Sequence, residues 1–398
     1  MSVLFFPLRK WFTIFAGMKQ TLYTFCLLLV LLTCRASEVT LTMNYQNQSR
    51  NFIVHFPPGY SAGSHLPVVF NFHGYGSDAA QQEFYSIMDP VADANSFIVV
   101  YPNGIANSWN VGFTGTYNTG TDDVGFTSKM IDTLYQLYGI DLTRVYACGM
   151  SNGGFMSHRL ACELENRIAA IASVTGSLTD STAYYCTLQR RIPIMEVHGT
   201  ADPLVPYDGE AGILSQAQLI NFWLNKNQCP GDSDIYNFPD INTTTDSSTV
   251  QRIRYLNCSN NTRIWYYKIT GGGHSWPGAS YPYIYGPTNE DIDGATEIWK
   301  FFKQFTLNGT VGVEDVAAEK LNIRVQPNPF NEVIQVSDIP YTTNDTRINL
   351  FDLTGRLISS SVINASSTTI TTTNLQSGLY LLQVSGNGLN YTTKVVKE

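Results

Sequence analysis

The sequence predicts an α/β domain, in which helices cover both faces of a mostly parallel sheet, followed by a small all-β sandwich. From residue 38 to 305, short apolar runs that end in glycine alternate with helix-like periodicity. Beyond residue 305 the composition changes, and the predicted strands are short and rich in threonine, serine and asparagine. The chain has 398 residues, 43% of them hydrophobic, which is enough to bury more than one core.

The N-terminal segment 1–37 is typical of a secretory signal peptide whose effective start is Met18. A lysine precedes the apolar run Thr21–Thr33, which is too short to span a bilayer and is followed by small residues. Cys34 leaves a lipoprotein signal as an alternative, although the threonine before it is bulkier than such signals usually carry. We therefore expect export of the chain and no stable membrane span.

The first domain is predicted to span residues 38–305. Its expected buried strands lie at 66–74, 96–104, 144–149, 168–176 and 192–199. The spacing of apolar residues predicts a helix over Val124–Gly139, with Asp122 or Asp123 as its N-cap and Gly139 at its C-terminal end. A second helix is expected after Ser151, and a last one over 295–305 closes the domain.

Residues 306–320 are predicted to form a linker, and residues 321–398 the second domain. Alternating strands there are separated by turn signals at 354–355, 377–378 and 386–388. This pattern predicts a small antiparallel β-sandwich.

The cysteines predict disulfide bonds. Removal of the signal leaves five cysteines, and in an exported protein they are expected to pair. We favour Cys162–Cys186 and Cys229–Cys258, with Cys148 buried and free, although spacing alone leaves other pairings open. The chain has no CxxC or HExxH motif, so we expect no metal site and no cofactor.

The charge of the chain bears on its partners. The net charge is −8, and the sequence lacks the excess of lysine and arginine that is typical of a nucleic-acid-binding protein. Only 14% of residues are charged, whereas uncharged polar and aromatic residues are abundant. This composition suits an uncharged substrate such as a carbohydrate or a polyester, and we expect no nucleic-acid partner.

The segment Gly149-Met150-Ser151-Asn152-Gly153 fits the nucleophile motif G-x-S-x-G and lies between a predicted strand and a predicted helix. A serine on so sharp a turn is held in strained geometry, with its oxygen at a helix N-terminus that favours developing negative charge. An ordinary glycine-rich turn is the alternative. We interpret Ser151 as a catalytic nucleophile.

A serine nucleophile needs a histidine base, and the base needs an orienting acid. With this motif the acid and then the histidine are expected to follow the serine in chain order. The only histidine after His198 is His274, which is the predicted base, whereas His198 itself is assigned a structural role. Asp202, just beyond the strand 192–199, is the predicted acid, and Asp208 in the same loop is its rival.

The tetrahedral intermediate needs two backbone donors. The predicted donors are the N–H groups of Asn152, next to the nucleophile, and of Tyr75, in the loop after an early strand. His73 precedes that loop and is expected to hold it by hydrogen bonds. Trp109 and Trp276 are candidate walls of an acyl pocket, with ordinary core packing as the alternative.

Several motifs together resemble a known family. HGYGS, DDVGF, RVYACGMSNGGFM, HGTADPLVPY and GGGHSWPG occur in the order seen in secreted polyhydroxybutyrate depolymerases and feruloyl or acetylxylan esterases, a group like carbohydrate esterase family 1. The resemblance covers about residues 44–305. It implies an α/β-hydrolase fold without a metal cofactor, and it assigns the triad to Ser151, Asp202 and His274.

The resemblance implies a serine esterase but does not fix its substrate. We favour feruloyl or acetyl esters of plant cell-wall xylan, because an aromatic run lies near His274. The alternatives are a polyhydroxybutyrate depolymerase, a serine peptidase and a non-catalytic binding protein.

The C-terminal domain resembles the type IX secretion sorting domain of Bacteroidetes. The matching segments are VQPNPF at 325–330, INLFDLTGRLI at 348–358, LQSGLYLLQV at 375–384 and the terminal KVVKE. This resemblance implies passage through the periplasm, recognition by the type IX secretion machinery and an extracellular or cell-surface location. A polymer-binding sandwich is the alternative.

Overall fold

The structure is a computed structural model that describes residues 36–398, except 242–245, 280–284, 311–322, 340–345, 353–355, 364 and 387–388. The chain divides into two compact units, Met1–Val311 and Gly312–Glu398. The predicted signal segment lies almost wholly outside the described residues.

Within the described residues, a ten-stranded sheet forms the centre of the first unit. Its strands are β1 Ser37–Tyr45, β2 Gln48–Phe56, β3 Val68–Phe72, β4 Ile98–Pro102, β5 Val145–Met150, β6 Ala170–Val174, β7 Ile194–Gly199, β8 Ser233–Asn237, β9 Thr249–Tyr255 and β10 Ile264–Thr270. The strand order is β1-β2-β4-β3-β5-β6-β7-β10-β9-β8. The run from β4 to β10 is parallel, and antiparallel pairs flank it. This topology confirms the predicted α/β-hydrolase fold.

Helices cover both faces of the sheet. They are α1 Ala79–Ser86, α2 Met88–Asn95, α3 Asp123–Tyr138, α4 Asn152–Glu163, α5 Asp180–Tyr185, α6 Gln216–Asn227 and α7 Gly294–Phe302, with 3-10 turns at Ile105–Asn107, Phe113–Gly115 and Ser259–Asn261. Successive strand residues point to opposite faces. Val68 therefore packs in one apolar cluster with α3, α4 and α6, and Val69 packs in the other with α2 and α7. Each helix in the described part of the chain is too short or too polar to cross a membrane.

The N-cap and C-terminal end of α3 agree with the sequence prediction. The structure also shows which of the two candidates, Asp122 or Asp123, is the N-cap. Asp122 is the N-cap, and its Oδ1 accepts a hydrogen bond of 2.8 Å from the Gly125 N–H. Asp123 is instead the first helical residue and forms a buried ion pair of 2.8 Å with Arg50. Gly139 ends the helix at a φ of 64°, in the left-handed region that glycine adopts most easily.

Helix α7 is shorter than predicted. It ends at Phe302, and Phe305 begins a small hairpin of β11 Phe305–Thr306 and β12 Gly309–Thr310. The Tyr146 hydroxyl donates to the Phe305 carbonyl at 2.6 Å, and the Leu307 N–H donates to the Thr143 carbonyl at 2.9 Å. These bonds hold the first residues of the predicted linker on the first unit, whereas 311–320 lie outside the described residues.

Both predicted disulfides are confirmed. Cys162 near the end of α4 bonds Cys186, which follows α5, and Cys229 bonds Cys258. Cys148 is free and buried in β5. The first disulfide therefore ties the helix that begins beside Ser151 to the neighbouring helix.

In its described residues the second unit contains two antiparallel sheets, which confirms the predicted all-β domain. Its strands are β13 Arg324–Gln326, β14 Val333–Ser337, β15 Arg347–Phe351, β16 Leu357–Val362, β17 Thr368–Thr371, β18 Gly378–Gly386 and β19 Leu389–Lys397. One sheet has the order β13-β14-β17 and the other β16-β15-β18-β19. Side chains from both sheets, among them Ile334 and Leu382, share one buried cluster. The two sheets therefore pack face to face around a single core.

Candidate active site

Ser151 lies on the turn between β5 and α4. Its φ of 55° and ψ of −120° are unusual for a residue with a side chain. The Ser151 N–H donates to the Val174 carbonyl at the end of β6 at 2.8 Å, and the Ser151 carbonyl accepts from the Phe155 N–H at 3.0 Å. Because both ends of the residue are fixed, the strained turn persists and presents the side chain at the N-terminus of α4.

The flanking glycines are required by close approach of the backbone. A β-carbon on Gly149 would lie 2.5 Å from the carbonyl oxygen of Phe72 in the adjacent strand β3. A β-carbon on Gly153 would overlap the same oxygen. Backbone atoms cannot move aside as a flexible side chain can, so the turn excludes any larger residue at both positions.

His274 and Asp202 meet in a buried hydrogen bond. Asp202 Oδ2 lies 2.7 Å from His274 Nδ1, and the two residues are 6% and 1% exposed. Asp202 Oδ1 accepts the N–H groups of Leu204 at 2.8 Å and Val205 at 2.9 Å, which fixes the carboxylate plane. Asp208, the rival acid, is exposed.

The contact between Asp202 and His274 sets the tautomer of the imidazole. A carboxylate only accepts hydrogen bonds, so the proton of the neutral ring lies on Nδ1 and Nε2 is the basic nitrogen. A backbone hydrogen bond joins the two loops that carry these residues: the Ala201 N–H donates to the Gly272 carbonyl at 2.9 Å. The arrangement suits an imidazole that takes a proton at Nε2 while its other side is held.

The predicted oxyanion donors lie on two elements beside Ser151. A β-carbon built on Gly74 would be 3.5 Å from the β-carbon of Ser151, which places the loop 73–77 next to the serine. Tyr75 is 78% exposed, so its ring lies in solvent. Asn152 is the first residue of α4, where N–H groups have no acceptor within the helix.

His73 holds this loop, as predicted. Its Nε2 accepts the Gly104 N–H at 3.0 Å, so the ring proton lies on Nδ1, which faces the Gly74 carbonyl at 2.7 Å. Burial lowers the pKa of His73, in spite of the hydrogen bond to Gly74. The neutral His73 ring therefore holds the loop 73–77 in place by hydrogen bonds.

The Asn152 side chain contributes an anchor that sequence analysis missed. Its Oδ1 accepts the Trp109 N–H at 2.7 Å, and its Nδ2 donates to the Trp109 carbonyl at 3.2 Å. The Trp109 indole N–H donates to the His73 carbonyl at 2.9 Å. Trp109 and Trp276, the candidate pocket walls, are 2% and 1% exposed, so both indoles are packed into the surrounding structure.

A second set of polar side chains lies behind Asp202, in which His198 was assigned a structural role from the sequence but its partners were missed. Glu196 and His198 on β7, His158 on α4 and Trp223 on α6 are fully buried and mutually hydrogen-bonded. The one signal in the sequence was an acidic residue in the otherwise apolar strand IPIMEVHG. Burying a carboxylate costs free energy unless it is paired, so an acidic residue in a buried strand indicates a buried partner.

Comparisons with known protein families match both units. Residues 121–237 match the family described as Phospholipase/Carboxylesterase, and residues 324–398 match the Secretion system C-terminal sorting domain. The second match confirms the predicted sorting tail and the export of the chain.

Curated relatives match the first unit. The bifunctional acetylxylan esterase/xylanase XynS20E of Neocallimastix patriciarum is 29% identical over 67% of this chain and 35% of its own length. Feruloyl esterase B of Piromyces equi is 30% identical over 65% of this chain and 46% of its own length. The putative esterase NocK of Nocardia uniformis subsp. tsuyamanensis is 28% identical over 66% of this chain and 80% of its own length. This chain thus spans less than half the length of the first two relatives.

Proposed function

We propose that this chain, which joins a carboxylesterase domain of the α/β-hydrolase fold to a secretion sorting domain, is a secreted serine esterase acting on feruloyl or acetyl esters of plant cell-wall xylan. The observation that carries the proposal is the buried hydrogen bond between Asp202 and His274, downstream of a serine on a strained strand–helix turn. The order serine, acid, histidine is the one expected with this turn.

In this proposal the reaction proceeds through an acyl-enzyme. Ser151 Oγ attacks the ester carbonyl while His274 Nε2 takes its proton, and Asp202 stabilises the imidazolium that forms. The N–H groups of Asn152 and Tyr75 stabilise the oxyanion of the tetrahedral intermediate. His274 then protonates the leaving alcohol, and a water activated by the same ring hydrolyses the acyl-enzyme.

The substrate class rests on the relatives. Two of the curated proteins named above act, by their names, on acetylxylan or feruloyl esters. Trp109 and Trp276 are the proposed walls of the acyl pocket, because Trp109 bonds the His73 carbonyl at the start of the loop 73–77 and Trp276 lies two residues after His274. The proposed partners are a polysaccharide ester as substrate and the type IX secretion machinery, which would read the tail.

The test is a comparison of substrates with the purified protein and its Ser151→Ala variant. Methyl ferulate, acetylated xylan and a polyhydroxybutyrate suspension are incubated in parallel with each protein. We expect release of ferulate or acetate by the wild-type protein and loss of at least a thousandfold of that rate in the variant.

Three results would contradict the proposal in different ways. Clearing of the polyester suspension without release of either acid would make the protein a polyester depolymerase. Preferential cleavage of peptide p-nitroanilides over p-nitrophenyl esters would make it a peptidase. Retention of full activity by Ser151→Ala would remove Ser151 from the reaction.

A further inference from the structure

The set of buried polar side chains behind Asp202 forms a continuous chain of contacts, here called the acid-side network. His198 Nε2 lies 3.5 Å from Asp202 Oδ2, and His198 Nδ1 lies 3.4 Å from Glu196 Oε1. Glu196 Oε2 lies 3.0 Å from His158 Nε2, and the indole N–H of Trp223 donates to His158 Nδ1 at 3.2 Å. The network runs from the proposed acid, beneath the end of β7, to the helix that begins beside Ser151.

Hydrogen-bond donors and acceptors fix most protons in the network. Because the Trp223 indole can only donate, His158 accepts at Nδ1 and donates from Nε2 to Glu196. His198 Nε2 lies 3.0 Å from the Val205 carbonyl, which can only accept, so this nitrogen carries a proton. One further proton is shared between His198 Nδ1 and Glu196 Oε1.

The surroundings place that proton on His198. Glu196 accepts hydrogen bonds at both oxygens, from His158 at Oε2 and from His198 at Oε1, as a carboxylate does. Burial opposes charge on the ring, but the hydrogen bond and charge of Glu196, with Asp202 and the Val205 carbonyl, raise the pKa of His198. His198 and Glu196 are therefore a buried ion pair, and its positive end faces Asp202.

The neighbouring elements supply other polar groups at this level. Lys268 on β10 is in register with His198, and its Nζ lies 5.7 Å from the centre of the Tyr207 ring. The Tyr207 ring lies 6.3 Å from the His198 ring, and the Tyr207 hydroxyl accepts a hydrogen bond from the Tyr266 hydroxyl at 3.0 Å. Within the described residues the carboxylates in direct contact with His198 are Glu196 and Asp202.

We infer that the Glu196–His198 ion pair is a positioning device that offsets part of the charge of Asp202 and so keeps His274 unprotonated, and able to act as the base, to a lower pH. The inference rests on the proposed function. His198 is nearer to Asp202 than Glu196 is, so the positive end of the pair dominates there. Without the ion pair, the charge of Asp202 would not be offset, and the carboxylate would hold a proton on His274 more strongly.

A buried ion pair is weak evidence for a stabilising role. Replacing a buried ion pair by well-packed apolar residues is often neutral or stabilising, so its presence beside the acid points to a role in the reaction. The same network links α4, which begins at Asn152, to β7, which leads to Asp202. The network thus helps to fix the position of the serine turn relative to the acid.

The test compares Glu196→Gln and His198→Gln with the wild-type protein. Glutamine at 198 can keep a donor toward Val205 but cannot become a cation. The readouts are kcat/KM on p-nitrophenyl acetate and the rate of Ser151 labelling by a fluorophosphonate probe, each measured from pH 5 to 9. Glutamine at 196 no longer holds the second proton on His198, so both variants lose the cation beside Asp202. We therefore expect the acidic limb of both profiles to move up by about half a pH unit, which lowers the rate about threefold on that limb.

Glu297→Gln is the matched control. Glu297 is also a buried carboxylate, accepting from the Tyr267 hydroxyl at 2.6 Å and from Lys300, but it lies on α7 at the opposite face of the sheet. This variant is expected to lose thermal stability without moving the acidic limb.

The outcomes separate the inference from the proposed function. If both glutamine variants keep the wild-type limb, the inference is overturned even if they unfold at lower temperature. If Glu196→Gln does not fold, the limb of His198→Gln decides alone. If the wild-type protein labels at Ser151 but turns over no ester, the proposed function fails while the labelling profile still tests the inference. Absence of labelling overturns both.

Discussion

Replacing Asp202 by asparagine tests the proposed triad through a single atom. Asp202 Oδ1 accepts two backbone N–H groups, from Leu204 and Val205, whereas Oδ2 faces His274 Nδ1. An asparagine keeps those two backbone bonds only if its oxygen occupies the Oδ1 position. Its NH₂ group then faces His274 Nδ1 and turns that nitrogen into an acceptor.

The change of tautomer determines the magnitude. The ring proton moves to Nε2, the nitrogen that must take the proton of Ser151, so the base is lost while the fold is kept. A wrong tautomer at such a histidine costs roughly four orders of magnitude in kcat, or about 5 kcal/mol of transition-state stabilisation. The assay is kcat on p-nitrophenyl acetate at pH 7, with urea unfolding to confirm that the variant is folded.

Asp208→Asn is the control, because Asp208 lies in the same loop but is exposed. It is expected to retain activity within a factor of two. The reasoning is refuted if Asp202→Asn stays within tenfold of the wild-type kcat, and more sharply if Asp208→Asn is the variant that loses it.

Three further changes test the fold around the site. Gly149→Ala would bring a β-carbon to 2.5 Å from the Phe72 carbonyl; we expect a loss of about 3 kcal/mol in urea unfolding and no fluorophosphonate labelling, whereas Gly59→Ala, with open space around it, should cost about 1 kcal/mol. Cys186→Ser opens the Cys162–Cys186 disulfide and should lower the free energy of unfolding by about 2–4 kcal/mol; an unchanged urea midpoint would exclude a stabilising role. Burial, with the charge of Asp89, raises the pKa of Glu83 from 4.5 to about 8, so its stability contribution is complete below pH 4.5 and is lost as pH rises through 8. The wild-type Tm should therefore fall more steeply than that of Glu83→Gln between pH 5 and 9, and parallel curves would contradict this.

The parts of the molecule that follow local rules could be predicted from the sequence. Asp122 and Gly139 cap α3 because short-range hydrogen bonding and backbone freedom decide such positions. The turn at Ser151 was evident because its glycines are dictated by a backbone only one strand away. The Cys162–Cys186 and Cys229–Cys258 bridges were favoured correctly, because cysteines of an exported protein are expected to pair.

Contacts between distant elements could not be predicted in the same way. Glu196 on β7 meets His158 on α4 through their side chains, although α4 lies mainly over β5 and β6, and no periodicity within either segment encodes that contact. The choice between packing and pocket for Trp109 was open for the same reason. Its indole reaches the His73 carbonyl, a partner that depends on the path of a loop rather than on any local pattern.

The side chain of Asn152 has a consequence for protein engineering. It clamps both backbone groups of Trp109, so the start of that loop is rigidly coupled to the serine turn. Substitutions meant to broaden the acyl specificity should therefore leave Ser108, Trp109 and Asn152 unchanged. Phe113, which is exposed and whose ring packs against Phe155, makes none of these bonds and is open to variation.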